Sequence, residues 1–289
     1  MNLREVRDRI ASVKSTQKIT AAMKLVSSAK LRRAQGAIEG MLPYSNRLNG
    51  LLTSFLAGND NIVSEYSTVR ECRKVVIIAV SSNTGLCGTF NANIVNMVRD
   101  AVSAYSASGV EVEIYTVGKK INDAVKKMGY TPSEELMSQA AAPRYDDVSP
   151  VARNLMERFH KGEIDKVDII YSRFRSAARQ EPANETLLPV DITSPAGTPD
   201  AIGDYIVEPG RDELLSALIP KVIEVRLFTA LLDSVAAEHA ARVLAMQVAT
   251  DNATDLISEL TLEYNKGRQQ AITNELLDIV AGSAGQHLF

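Results

Sequence analysis

The chain has 289 residues and a formal net charge of −3, with 45% hydrophobic and 23% charged residues, which is typical of a soluble protein with a real core. Two cysteines and three histidines exclude a disulfide framework and a dedicated metal site, and they suit a reducing cytoplasm. Aromatic residues make up only 5%, with no tryptophan, which argues against a stacking surface for nucleic acid.

The distribution of charge is more informative than its sum. Residues 1–35 carry nine basic and two acidic side chains, whereas residues 212–281 carry eleven acidic and five basic ones. A basic first helix and an acidic last helix attract each other when they lie antiparallel. No stretch is apolar enough to span a bilayer. The first residues lack the apolar core of a secretory signal, and Glu5 and Asp8 argue against a transit peptide.

The first 57 residues have the pattern of a long helix. Apolar residues recur at the a and d positions of heptads, and the following positions are small or polar, which allows close approach of a partner helix. Gly36, Gly40 and Pro43 are expected to loosen or kink this helix before it resumes and ends near Gly58. Residues 58–71 are predicted to be a linker. The heptad track begins with Leu3, Val6, Ile10 and Val13.

The middle of the chain, residues 72–192, changes from helical to strand periodicity. The run KVVIIAV at 74–80 is short, continuously apolar and rich in β-branched residues, as expected of a strand buried on both faces. Further strands are predicted at 110–118, 167–174 and 185–190, and helices at 91–107, 119–128 and 146–161. This alternation predicts an α/β domain with a doubly wound, Rossmann-like parallel sheet.

The loop after the first strand, residues 81–90, is the place where a doubly wound fold would bind phosphate. Its Gly85-Leu86-Cys87-Gly88 segment lacks the third glycine of the dinucleotide fingerprint, and the chain contains no GxxxxGKS/T motif. Cys87 is interpreted as a small packing residue and His239 as a packed seam residue. Since no nucleophile–base constellation is present, we expect no cofactor and no enzymatic activity.

The last third of the chain begins with a predicted linker, residues 193–211, and continues as one very long helix. A heptad track is sustained from Val222 to Tyr264 and is polar only at Thr229, His239 and Thr250. Residues 221–281 would make a rod of roughly 90 Å, whereas a compact globule of this length has a diameter of about 50 Å. We therefore predict an antiparallel coiled-coil shaft formed by residues 1–57 and 212–289.

Three segments resemble the γ subunit of bacterial F-type ATP synthases, and the likeness spans essentially the whole chain in the same order. They are ITAAMKLVSSAKLRRAQ at 19–35, SSNTGLCGTFNANI at 81–94 and, above all, EHAARVLAMQVATDNATDLISELTLEYNKGRQQAITNELLDIVAG at 238–282. The chain departs from that family at Thr84, where a basic residue is usual, at Gln247, where lysine is common, and at Gly267, where alanine is usual.

The resemblance implies a function as the central rotor, coupling ion flow through the membrane to ATP synthesis or hydrolysis, without an active site of its own. The implied partners are the α and β subunits of the catalytic ring, the ε subunit and the membrane c-ring, with one copy of this chain per complex and no nucleic acid. The implied location is the cytoplasmic side of the bacterial inner membrane, as a peripheral protein.

The resemblance also implies contact residues. Positions that would meet the β subunits are Met23, Lys24, Arg242, Arg268, Gln269, Thr273 and Glu275. An apolar tip turning in a collar would consist of Ile272, Leu276, Ile279 and Val280. Tyr205 would approach the c-ring. Two other classes stay open from the residues alone: a dinucleotide enzyme, and a coiled-coil scaffold or nucleic-acid adaptor that binds through residues 1–35.

Overall fold

The computed structural model describes residues 3–56, 65–190 and 210–286. Two very long helices enclose, in sequence, a set of strands and shorter helices. These described residues form two compact units, Ser27–Arg242 and Met1–Val26 with Val243–Phe289. The elements are α1 Leu3–Leu56, β1 Lys74–Val80, α2 Phe90–Ala107, β2 Glu111–Val117, α3 Lys119–Lys127, β3 Glu134–Glu135, α4 Tyr145–His160, β4 Lys166–Ser176, β5 Arg179–Leu188 and α5 Arg211–Gln286.

Each terminal segment forms a single long helix. Helix α1 continues for 54 residues through Pro43, and α5 continues for 76 residues and includes Pro220. Helix α1 therefore does not end at Pro43. An internal proline removes one helical hydrogen bond, but the next turns of α1 bury Leu48 and Leu52 in the core of the α/β unit. This packing holds the helix together across the weak point.

The sheet has five strands in the order β3-β2-β1-β4-β5. Strands β1 to β4 are mutually parallel, as predicted, with Ile77 of β1 opposite Ile114 of β2 and Asp168 of β4. Strand β5 corrects the prediction because it runs antiparallel to β4. Only two residues separate β4 from β5, and a connection that short permits only an antiparallel hairpin. The sheet is thus mixed.

Both faces of the sheet are covered, which explains the continuous apolar run of β1. On one face Val75, Ile77 and Ala79 pack against α2 and α3. On the other face Val76, Ile78 and Val80 pack into a larger cluster that includes residues of α1, α4 and α5. A strand covered on both sides cannot alternate apolar and polar residues. Residue 77 of β1 is therefore as dry as residue 78, with 0% and 1% of its surface exposed.

In the unit formed by Met1–Val26 and Val243–Phe289, the helices run antiparallel. The hydroxyls of Thr20 and Thr250 are 2.8 Å apart, and the Gln17 amide donates to the Thr254 hydroxyl at 2.7 Å. Near the start of α1, Leu3 lies against Gly267, where an added Cβ would be 3.2 Å from its methyl group.

Every member of the heptad track from Val222 to Tyr264 is buried or half-buried, as expected of an apolar seam. Within the ranges listed above, no helix has the length and apolar character needed to cross a membrane.

Candidate functional site

The loop between β1 and α2, residues 81–89, is held tightly from inside. The Ser82 hydroxyl donates to the Thr84 carbonyl at 2.6 Å, and the Ser82 amide donates to the Asn91 side chain at 3.1 Å. Two residues have positive φ, Leu86 at 62° and Gly88 at 58°. Leucine pays a steric cost in this conformation. Contacts made by the rest of the loop must therefore fix Leu86 there.

The strongest of these contacts come from Arg242 on α5. Its Nη2 donates to the Thr84 hydroxyl at 2.9 Å, to the Gly85 carbonyl at 3.2 Å and to the Thr84 carbonyl at 3.4 Å. Its Nη1 donates to the carboxylate of Glu238, one helical turn earlier, and lies 3.4 Å from His239 Nδ1. Arg242 and Glu238 are each 7% exposed.

Burial sets the protonation of this cluster. Burial raises the pKa of Glu238, and the Arg242 guanidinium that bonds to the carboxylate offsets part of the rise. Burial also lowers the pKa of His239 to about 4, and the positive charges of Arg242 and Lys30 act in the same direction. At neutral pH His239 is therefore an uncharged packed residue, in agreement with the sequence interpretation.

This geometry differs from a phosphate-binding loop. Phosphate sites present backbone N–H groups to an anion, whereas here the carbonyls of Thr84 and Gly85 face a cation of the chain itself. Next to them Cys87, Phe90 and Phe174 pack against Ala237 and Ala241 of α5. The crevice where doubly wound folds bind ligands is thus filled by the chain's own helix at this loop.

Two further clusters of buried charge lie in the Ser27–Arg242 unit. Glu224, whose side chain is 4% exposed, accepts from Arg153 at 2.6 Å and also from Tyr145, and Lys221 lies 3.6 Å away. Burial alone would raise the pKa of Glu224, but the hydrogen bonds from Arg153 and Tyr145 lower it overall. No described group of histidine, cysteine and carboxylate side chains is arranged to hold a metal ion.

The second cluster surrounds Asp233, which faces a cavity of about 130 Å³. Burial raises the pKa of Asp233 to about 6, with Arg173 and Arg175 opposing the shift and Glu185 adding to it. A carboxyl group of this kind is partly protonated near neutral pH. The titration of Asp233 therefore affects the stability of the Ser27–Arg242 unit, which also contains the Arg242 cluster.

The predicted contact residues fall into three groups. On the last turns of α5 the polar residues Arg268, Gln269, Thr273 and Glu275 and the apolar residues Ile272, Leu276, Ile279 and Val280 are all exposed and are interleaved on one face of the helix. Met23 and Lys24 are half-buried on α1, in the same unit. Arg242 lies in the other unit and is buried, and Tyr205 lies outside the described residues.

The internal bonds of Arg242 were missed at the sequence level. One signal was present, because Glu238 and Arg242 have the i,i+4 spacing of a helical ion pair. The partner that decides the role, Thr84, is separated by 158 positions, and no sequence pattern connects them.

The comparisons with known proteins decide the family. A family model described as ATP synthase matches residues 2–285. A protein of Bacteroides thetaiotaomicron named ATP synthase gamma chain is 50% identical, with 98% of this chain and 99% of the relative covered. The chain belongs to the ATP synthase gamma-chain family. A gamma chain of Flavobacterium psychrophilum is 43% identical, with 98% of both chains covered.

Solved structures have the same fold as this gamma-chain family member. A chain of the Euglena gracilis mitochondrial ATP synthase, in a structure of OSCP, F1 and c-ring, matches with a TM-score of 0.69 at 22% identity and covers 99% of this chain and 94% of that one. A chain of the Tetrahymena thermophila mitochondrial ATP synthase central stalk and c-ring matches with a TM-score of 0.61 at 21% identity, covering 80% of this chain and 99% of that one.

Proposed function

We propose that this chain is the central rotor of an F-type ATP synthase and that it couples rotation driven by ion flow to ATP synthesis or hydrolysis. It is non-catalytic, because in this family the catalytic sites lie on the beta subunits. Its partners are the alpha and beta subunits, the epsilon subunit and the membrane c-ring, with one copy per complex. Its location is peripheral, at the cytoplasmic side of a bacterial inner membrane.

One observation carries this proposal. Along residues 243–280 of α5 only Met246, Ala253 and Leu260 are buried, and all three belong to the heptad track. The remaining surface of that stretch carries large apolar side chains in contact with water, such as Ile279 and Val280 at 67% and 63% exposure. Exposed apolar tracks of this size are typical of a surface that another protein covers.

We assign the exposed positions to contacts that change as the rotor turns. Arg268, Gln269, Thr273 and Glu275 would meet loops of the beta subunits, with Met23 and Lys24 contributing from α1. Ile272, Leu276, Ile279 and Val280 would form the tip that turns in an apolar collar, and Tyr205 would approach the c-ring. Rotor angle selects among subunit conformations only if the contacts differ from one subunit to the next.

We further propose the division of labour expected from the sequence. Residues 1–57 and 212–289 would serve as the shaft and residues 72–192 as the globular foot, with 58–71 and 193–211 as linkers. The foot would meet the epsilon subunit and the c-ring. The opposite charges of the two terminal segments support their pairing as a shaft.

A rotation assay tests the proposal. Lys120 is exposed at the start of α3, and Lys120→Cys in a Cys72→Ser background provides a thiol for a bead, since Cys87 is 1% exposed. With a ring of alpha and beta subunits fixed to a surface, ATP should turn the bead steadily in one direction. ATP hydrolysis by a complete assembly with a stationary bead would contradict the rotor function.

The competing classes are tested on the isolated chain. Equilibrium dialysis should detect no ATP bound to it, because the β1–α2 loop offers carbonyls to Arg242 where an ATP site would need N–H donors. Stoichiometric, tight ATP binding would favour an enzyme. Binding to nucleic acid that weakens steeply with salt would favour an adaptor that uses residues 1–35.

A further inference from the structure

The geometry around Arg242 points to a role inside the chain. We infer that Arg242 and Glu238 hold the loop 81–89 in its conformation through Thr84, so that Arg242 is a positioning residue for a surface of the rotor and not itself a contact with the beta subunits. We call Arg242, Glu238 and Thr84 the Arg242 clamp. The effect of the clamp on coupling rests on the proposed rotor function, whereas its effect on the loop does not.

The guanidinium of Arg242 is fully engaged at its two ends. Its two terminal nitrogens serve opposite sides, Nη1 the carboxylate of Glu238 and Nη2 the oxygens of Thr84 and Gly85. A planar fork can satisfy two partners at once, which the single ammonium of lysine cannot do in this arrangement. A contact that another subunit made with either terminal nitrogen would compete with one of these bonds.

The ion pair that Arg242 forms with Glu238 is buried. Arg242 and Glu238 form an ion pair in which both side chains are 9% exposed. Withdrawing the guanidinium toward a partner subunit would leave the carboxylate of Glu238 buried and unpaired, and an uncompensated buried charge is strongly destabilising. Arg242 therefore stays in place while the rotor works.

The Arg242 clamp holds an exposed residue, Leu86, at the surface of the loop. Leu86 follows the two residues that Arg242 binds, it is 65% exposed, and it has a positive φ. On its other side Cys87 is 1% exposed and accepts from the Asn91 amide at 3.1 Å. The loop is thus anchored on both sides of Leu86, by α5 before it and by α2 after it. Loosening the first anchor lets Leu86 relax and exposes Cys87.

Thr84 is the adjustable part of the clamp. Its hydroxyl accepts the shortest of the three bonds that Nη2 makes to the loop. Valine has the same shape without the acceptor, so Thr84→Val removes that bond and preserves volume. Serine keeps the hydroxyl. Thr89 lies in the same loop and makes no bond to Arg242, so Thr89→Val is the matched control for the same chemical change.

Thiol labelling of the full chain in a Cys72→Ser background measures the loop directly. Cys87 should react about 10-fold faster with an aromatic disulfide reagent in Thr84→Val than in the parent, as expected for the loss of one hydrogen bond to a charged group. Thr84→Ser and Thr89→Val should stay within about twofold of the parent, well below the effect of that bond. Equal rates in Thr84→Val and Thr89→Val would overturn the clamp.

The variant Arg242→Lys distinguishes the effect on the loop conformation from the effect on the stability of the fold. Lysine keeps the charge beside Glu238, so the melting temperature should fall little, yet Cys87 should label as fast as in Thr84→Val. Parent-like labelling in Arg242→Lys would show that charge alone holds the loop and would contradict the inference.

Coupling is measured on the assembled complex in sealed vesicles. Thr84→Val should transport fewer ions per ATP hydrolysed, and Thr84→Ser should restore the parent ratio. Raised labelling of Cys87 with an unchanged ratio would overturn the positioning role. Failure of the rotor function itself would show separately, as a stationary bead in the parent complex.

Discussion

Two stretches of the same helix, α5, differ in their exposure to solvent. Between Leu218 and Arg242 no residue is exposed, whereas between Val243 and Val280 only Met246, Ala253 and Leu260 are buried. Both stretches have helical sequences with an apolar heptad track. What differs is the rest of the helix surface. In the first stretch it is buried or half-buried, and in the second stretch it is largely exposed.

One helix can thus be a core element along one stretch and a binding surface along another. The first stretch is stabilised within the chain by the α/β unit around it, and Glu224, Glu238 and Arg242 have partners within the chain. The second stretch is held along one seam, and its remaining side chains are available to other proteins. Substitutions should therefore affect the isolated chain strongly in the first stretch and weakly in the second.

The largest effect is expected from Ile223→Ala. Ile223 has 0% of its surface exposed in the main core cluster, so truncation should cost about 2–5 kcal/mol in the free energy of unfolding. Ile279→Ala is the matched control, since Ile279 is 67% exposed, and it should change the isolated chain by less than about 0.5 kcal/mol. Urea unfolding of both variants measures this, and equal losses of unfolding free energy would contradict the difference between the two stretches.

The next effect concerns Glu224, the buried carboxylate bonded to Arg153 and Tyr145. Glu224→Gln should cost about 1–3 kcal/mol at pH 7, because the donors lose a charged acceptor. Since the folded-state pKa is lowered, this stabilisation is present above the unfolded pKa and disappears as pH falls through the folded pKa. The wild type and Glu224→Gln should thus converge in acid.

The control for Glu224 is Glu263→Gln, because Glu263 is exposed in the second stretch. Thermal melts from pH 3 to pH 7 should show no pH-dependent gap between Glu263→Gln and the wild type. A gap as large as that of Glu224→Gln would mean that exposure does not separate the two stretches.

A stabilising change is expected at Asp233, whose pKa burial raises to about 6. A raised carboxyl pKa favours the folded state below the unfolded pKa, and this advantage is lost as pH rises through 6. Asp233→Asn should therefore be more stable than the wild type by about 1–2 kcal/mol at pH 8 and equal to it near pH 4. Chemical unfolding at both pH values measures this, and a gap that grows in acid would contradict it.

The smallest effect is expected at the threonine pair of the seam. Thr20 and Thr250 share a 2.8 Å contact between hydroxyls. Thr20→Val alone should cost about 0.5–1 kcal/mol, because the Thr250 hydroxyl loses a neighbour. The double variant Thr20→Val with Thr250→Val should recover most of this cost. A double-mutant cycle measures the coupling, and strictly additive losses would show that the two hydroxyls act independently.

Much of the α/β unit could be predicted from the sequence, because its elements are short and clearly periodic. Strand β1 at 74–80 matches the prediction, whereas α2 and α3 differ from it by one residue at one end and α4 by one residue at both ends. The direction of β5 was missed because the predicted strands left a ten-residue gap between 174 and 185, which the real hairpin fills by extending both strands. Strand β3 consists of two glutamates and carries no apolar signal.

The contact positions on α5 could be predicted only through resemblance to a family, since periodicity does not say which exposed residues a partner touches. The role of Arg242 was beyond both routes. Its partners outside α5 are two carbonyls and one hydroxyl of a distant loop, and backbone carbonyls are the same in every sequence.

The seam between Thr20 and Thr250 also limits how this gene can change in length. One codon inserted between Thr250 and Ala253 would rotate all following residues by about 100° and take Ala253 and Leu260 out of the seam. Seven inserted codons would restore the seam but would move the exposed end of α5 by about 10 Å along its axis. We therefore expect length variation to be confined to loops, and an alignment of functional relatives should show no gaps here.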